Sequence, residues 1–343
     1  IGVTMKTLLT LLVLGVCSLQ ALAITVYDRD QTSTRIGGYM DTEFKSTKTE
    51  NTFKAHRFIL QVGSRINEKI EFNSEVEYEY GGYLKSGDAG DTKGELKIEQ
   101  AWVDYKAHDA FTVRTGIVLI PVGQLNIFHD SDLRDFTDRP LVNSYIIPTT
   151  WMDTGIGGHG TMELGDAELT YEGYVTNGLT HDNDYTTTKG VRNMRPNFKA
   201  DTNKGKAISG RIGYQPNINT IVGFSGYRGN SKQEINAFDA RYAMGQFGLK
   251  GEYATYKDGF NNEAKGYFVQ GKYNVAPNLS LDGELNLLAR YDSVDLGGSS
   301  TEVTRSTLGV NYRPAKQLVY KVSYQMQDDS DDNALMASVA VGF

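Results

Sequence analysis

Cysteine is almost missing from this chain: the one example, Cys17, lies near its start, so nothing downstream can form a disulfide or use a thiolate. Also missing is an apolar run long enough to cross a bilayer as a helix; the longest, residues 8–16, is too short. There is no basic excess either. Thirty-five Lys+Arg face 42 Asp+Glu, a formal net charge of -7, and no basic stripe is present, which argues against nucleic acid as a partner. The five histidines, His56, His108, His129, His159 and His181, are scattered without a pair at metal-ligand spacing, and no Gly-x-Ser-x-Gly elbow occurs. No catalytic residue, metal or cofactor is therefore expected, and a lipase or protease reading is left without machinery. A haem-attachment motif is equally absent.

What is present begins with a leader. Ile1 to Thr4 precede Met5 and look like an upstream extension of the reading frame. One cation (Lys6), the apolar run and then Ala21-Leu-Ala23 follow in the order of a secretory signal peptide, cleaved after about Ala23. Leu14-Gly-Val-Cys17 also permits a lipoprotein reading, which Val16 and the better site downstream disfavour. Residues 1–23 are thus read as extension plus signal, and residues 24–343 as a single domain. Removing Lys6 leaves 34 cations against 42 acids, a charge of -8.

The domain alternates. In residues 69–80, Ile70, Phe72, Val76, Tyr78 and Tyr80 share one phase, while Lys69, Glu71, Asn73, Glu75, Glu77 and Glu79 share the other. The same period recurs from residue 32 to Phe343. Examples are Phe58, Leu60 and Val62 against Arg57, Gln61 and Arg65; Phe111, Val113 and Ile117 against Thr112 and Arg114; and Phe238, Ala240 and Tyr242 against Asp239 and Arg241. One run is placed at Leu279, Leu281, Gly283, Leu285 and Leu287. In all, about sixteen strands are expected, with long polar connections alternating with tight turns. A row such as Glu71, Glu75, Glu77 and Glu79 must see water, because burying unpaired charges is too costly. The opposite row is apolar throughout and needs hydrocarbon. The reading is all-β: a transmembrane antiparallel barrel, closed because lipid cannot satisfy a sheet edge. Tyr80, Tyr105, Tyr214, Tyr253, Tyr273, Tyr312 and Tyr324, at strand ends in the apolar phase, fit aromatic girdles at the headgroups.

Residues 120–153 break the pattern. A connection this long needs a job, and the expectation is that this third external loop folds into the lumen and narrows it. Asp130, Asp132, Arg134, Asp135, Asp138 and Arg139 are its candidate constriction charges; Arg57, Arg65, Glu71, Glu75, Glu99, Arg114 and Arg241 are candidates for the facing wall. The acidic stretch Asp328-Asp-Ser-Asp-Asp332 lacks the Gly and distal Glu of a calcium loop and reads as a solvated external loop.

Ile98-Glu-Gln-Ala-Trp-Val-Asp-Tyr105, Arg114-Thr-Gly-Ile-Val-Leu-Ile-Pro-Val-Gly123, Arg139-Pro140, Tyr145-Ile-Ile-Pro-Thr-Thr-Trp151 and Tyr171-Glu-Gly-Tyr-Val-Thr-Asn-Gly178 together resemble the phosphate-selective porin O/P family of outer-membrane porins. The closing Ala340-Val-Gly-Phe343 is similar to the terminal aromatic signature of outer-membrane barrels. The resemblance implies a bacterial outer-membrane location among lipid and lipopolysaccharide, sixteen strands, a homotrimer, and passive diffusion of ions and small hydrophilic solutes. Phosphate selectivity in that family rests on inward arginines with lysines. Here Arg57, Arg65, Arg114, Arg211, Arg241 and Arg305 share the wall with many glutamates, so a general porin is preferred over an anion-selective one. A non-conducting structural or interaction barrel is the remaining alternative, and it would leave the long loop without a role.

Overall fold

Each alternating run becomes a strand in the computed structural model, which describes residues 24–29, 32–81, 94–180, 185–195, 198, 204–298, 302–328 and 333–343. The leader with Cys17, His181, and residues 329–332 of the acidic loop lie outside the described residues. The strands are β1 (Ile24–Arg29), β2 (Thr32–Ser46), β3 (Asn51–Arg65), β4 (Ile70–Glu79), β5 (Glu95–His108), β6 (Phe111–Leu119), β7 (Met152–Leu164), β8 (Ala167–Thr176), β9 (Ala207–Asn217), β10 (Thr220–Arg228), β11 (Glu234–Met244), β12 (Phe247–Lys257), β13 (Glu263–Asn274), β14 (Glu284–Asp295), β15 (Val303–Ala315), β16 (Leu318–Gln327) and β17 (Ala334–Gly342). From β2 onward every strand pairs antiparallel with its successor, and β17 returns to β2, from Leu335↔Ser46 to Gly342↔Tyr39. Of the seventeen strands, all but the short β1 form this closed ring of sixteen; β1 pairs with the start of β2. Closure leaves the ring without an edge, the condition for standing in hydrocarbon.

The two phases face where the alternation put them. Phe224, Phe238, Tyr253 and Tyr267 are register partners across β10 to β13, and all four are exposed on the outer surface. A contiguous apolar band of this kind marks a lipid-facing belt. Of the seven strand-end tyrosines all but Tyr312 are exposed. Inside, charges pair on adjacent strands, Arg57 with Glu77 (2.7 Å) and Glu79 (2.9 Å) and Arg114 with Asp104 (2.7 Å), and across an intervening strand, Arg211 of β9 with Asp239 of β11 (2.5 Å).

Three details depart from the expected pattern. β14 starts at Glu284, so Leu279 and Leu281 lie outside it, Leu279 closing the helical turn α3 (Ala276–Leu279). Pro277 in the first turn favours the helix. The chain then turns at Gly283 (φ 82°), where a Cβ would sit 2.1 Å from the Arg313 carbonyl oxygen. The long-short rule for connections also has exceptions. The β2–β3 link is a tight turn closed by Thr47 N donating to Glu50 O (2.7 Å), whereas the α3 connection is long. Finally, the inner wall is not wet everywhere. On the loop-side half of β9 to β14 the inward residues include Tyr227, Ile235, Ala237, Ala254, Tyr256 and Phe268, and they form an apolar core with Leu141, Ile146, Ile147, Val191 and Met194. The reason is geometric: the third and fourth external connections both fold inward there and exclude water.

Candidate pore constriction

Residues 120–151 leave β6 and return to β7 through a neck that one buried side chain holds shut. Asn126 Nδ2 donates to the carbonyl oxygens of Ile120 (2.7 Å) and Trp151 (3.0 Å), and its Oδ1 accepts from Trp151 N (2.8 Å). Trp151 packs on Tyr227 of β10, ring centroids 4.9 Å apart. From the neck two arms reach the far wall. The first runs into the short helix α1 (Gln124–Ile127): Gly123 N donates to Ser225 Oγ (3.0 Å) and Gln124 N to Glu252 Oε2 (2.6 Å). The second carries α2 (Val142–Tyr145): Leu141 N donates to Asp292 Oδ1 (2.9 Å) and Asn143 Nδ2 to Glu252 Oε1 (2.5 Å). Glu252 on β12 therefore receives donors from both arms.

Between the arms the loop meets a basic wall. Arg313 donates to Asp132 O (2.7 Å), Arg290 to Asp138 O (3.0 Å) and Asn311 to Asp135 O (3.0 Å), while Lys321 donates to Ser131 O. The carboxylates are engaged too. Asp135 accepts from Lys250 (2.6 Å) and Gln270 (2.6 Å), and Asp138 from Arg305 (3.1 Å) and Gln325 (3.2 Å). Burial pushes the Asp132 carboxyl up to about 6, with the neighbouring Asp130 charge adding to it. For Asp135 burial pulls upward as well, but Lys250 and Lys272 outweigh it and hold the carboxyl well below the usual carboxylate range. Asp138 is lowered in the same way, burial being overcome by Arg305 and Arg290. Burial, reinforced by the Arg57 and Arg134 charges, pushes Arg139 down to about 9.

Not every candidate charge lines the same place. Arg134 is a brace within the loop, donating to Thr137 O (2.6 Å) and Ser131 Oγ (2.8 Å), and Arg139 donates to Thr149 O (2.5 Å). Asp130 and Glu99 sit beside His129, and Glu75 is buried near them. Arg57 stands on the same wall. Arg114 stacks on Trp102 (3.7 Å) and binds Asp104, on the turn side of the loop. Arg65 and Glu71 stand at the turn-side rim, where Glu71 meets Arg35 (3.1 Å), and Arg241 is exposed there as well. Sequence reasoning missed Glu252, Asp292, Arg290, Arg313 and Lys321 as loop partners. The period of two puts Lys250 and Glu252 of β12 and Lys321 of β16 on the inner face, but no local signal says which inner residues the loop reaches.

A family model of Gram-negative porins matches residues 9–332. An uncharacterized protein of Aquifex aeolicus is 27% identical over 87% of this chain and 77% of its own length. Among solved structures, Salmonella typhi OmpF in complex with daunomycin superposes with a TM-score of 0.62 at 13% identity, covering 93% of this chain and all of that one. Outer-membrane expressed OmpT of Vibrio cholerae gives 0.61 at 13% identity over 92% and 99% of the two chains. An anion-selective porin from Comamonas acidovorans gives 0.59 at 13% identity over 91% of this chain and 100% of that one. With that match spanning nearly the whole sequence, on a closed sixteen-stranded barrel, the chain belongs to the Gram-negative porins of the bacterial outer membrane.

Proposed function

We propose that the barrel is a passive channel for ions and small hydrophilic solutes, and that residues 120–151 set its bore. The observation carrying this reading is that the loop's donors and acceptors are met by lumen-facing side chains of β10 and of β12 to β16, so the segment lies across the water path. Facing acids and bases at such a place bias which ions pass. A phosphate-selective pore is the less favoured reading, because Arg290, Arg305, Arg313 and Lys321 already donate to loop carbonyls and so offer no open ladder for an anion. A homotrimer is proposed by likeness to a Vibrio cholerae OmpT structure described as a trimer form. No enzymatic role is proposed.

Planar-bilayer recording tests the channel: discrete conductance steps are expected, and a non-conducting scaffold would give none. Neutralising Asp130, Asp132 and Asp135 together should shift the reversal potential in a salt gradient toward anions, since it removes acids and frees Lys250. An unchanged potential would put the loop off the conduction path. The same measurement has a pH signature. Cation preference should grow from about pH 5 to about pH 7, one unit either side of the Asp132 value near 6, as that carboxyl ionises, and Asp132→Asn should flatten the rise.

A further inference from the structure

His129, in the loop between β6 and β7, is almost fully buried and points at the wall of β4 and β5. Its Nδ1 lies 2.9 Å from Asn126 O, a backbone acceptor, so the ring donates there and turns Nε2 toward Glu99 Oε2 (3.4 Å) and Asp130 Oδ1 (3.6 Å). Facing two carboxylates, this nitrogen needs either a proton of its own or a cation between it and the oxygens. Glu75 completes the cluster: it is 2% exposed, its Oε1 has no hydrogen-bond partner, and ligand atoms of Glu75, Glu99 and His129 all lie within 4.8 Å of one another. Asp130 Oδ1 is a second buried oxygen without a donor.

The remaining atoms of these side chains are held as the outer partners of metal ligands are held. Glu75 Oε2 accepts from Gln100 Nε2 (2.9 Å), Glu99 Oε1 accepts from Thr150 Oγ1 (3.0 Å), and His129 Nδ1 is fixed by Asn126 O. The nearby cations are shared with other acids. Arg57 is paired with Glu77 and Glu79, and Lys97 lies 2.5 Å from Glu77 but 3.8 Å from Glu99. The backbone contributes as well. In the β4–β5 ladder Gln100 pairs with Glu75 and Ile98 with Val76, so Glu99 is the extra residue of a β-bulge. The bulge turns Glu99 and Gln100 to the lumen together, one as ligand and the other as the partner of Glu75; bulges re-aim side chains in this way at functional sites.

We propose that Glu75, Glu99 and His129, with Asp130 beside them, bind one divalent transition cation that ties the constriction loop to the barrel wall. One imidazole with two or three carboxylates suits Zn2+ or Mn2+ better than an all-oxygen cation such as Ca2+. The proposed site goes beyond the expectation of no metal: its ligands come from β4, β5 and the loop, so no local spacing announces them.

The test is binding of Zn2+ alone to the refolded full-length barrel in detergent, counted by elemental analysis after gel filtration, so its outcome does not depend on conduction. One equivalent per chain is expected. His129→Gln and, separately, Glu75→Gln should each weaken binding at least about tenfold, with folding of each variant checked by heat-modifiable electrophoretic mobility. X-ray absorption should show one imidazole on the bound ion. No retained Zn2+ in the parent protein overturns the proposal. So does Zn2+ that survives both substitutions but is lost in His56→Gln, which would assign it to the Asp41, Glu43 and His56 group on β2 and β3 instead.

Discussion

Asp292→Ala is expected to cost the barrel about 3–5 kcal/mol and to open the pore. Asp292 is fully buried and accepts from Leu141 N (2.9 Å), and it neutralises Arg290 (2.9 Å) and Arg305 (3.6 Å), both also buried. Truncation leaves two buried guanidinium groups beside each other with only the partly exposed Asp138 as counter-charge, and it unpins the arm that carries α2. Removing one member of a buried ion pair is costly for this reason, whatever the pair contributed against an apolar alternative. Urea titration of the barrel refolded into vesicles should show the lowered midpoint, and single-channel recording should show higher or noisier conductance. A variant with parental stability and conductance would mean that the loop is held elsewhere.

Phe224→Arg should destabilise by about 2–4 kcal/mol, the cost of an arginine at the hydrocarbon midplane of a transmembrane strand. Phe224 is the middle residue of β10, is 58% exposed, and lies between its register partners Ile212 and Phe238, which are exposed on the same outer face. In water such a substitution would be nearly neutral. In a bilayer the guanidinium must either reach for the headgroups or thin the membrane. A loss below about 1 kcal/mol, the value for a position near the interface, would show that this face is not held in lipid.

These two residues also mark where the sequence is informative. Phe224 is legible from its neighbours alone: the period of two puts it among Val222 and Gly226, out of phase with Gly223 and Ser225, and no tertiary knowledge is needed to turn it outward. Asp292 is legible only as a polar residue near a strand end. Its role depends on Leu141, 151 residues earlier in the chain, arriving inside the barrel. His129 is a sharper case. It reads as one scattered histidine until closure of the ring and the β5 bulge bring Glu75 and Glu99 to it. The start of β14 was misplaced because Leu279, Leu281 and Gly283 continue the alternation of the strand that follows, although Pro277 and Gly283 hold that stretch in a turn.

The sequence by itself determined the ribbon: strands of two unlike faces, joined end to end, that only hydrocarbon on one side and a polar interior on the other can accommodate together. It could do so because side-chain direction along a strand is a local property with a fixed period. The tertiary structure decided which part of the interior is dry, which inner charges the long loop meets, and which distant acids gather around one imidazole. Those outcomes depend on ring closure, register and the path of a loop with no period of its own, and they are fixed by contacts between residues far apart in the chain.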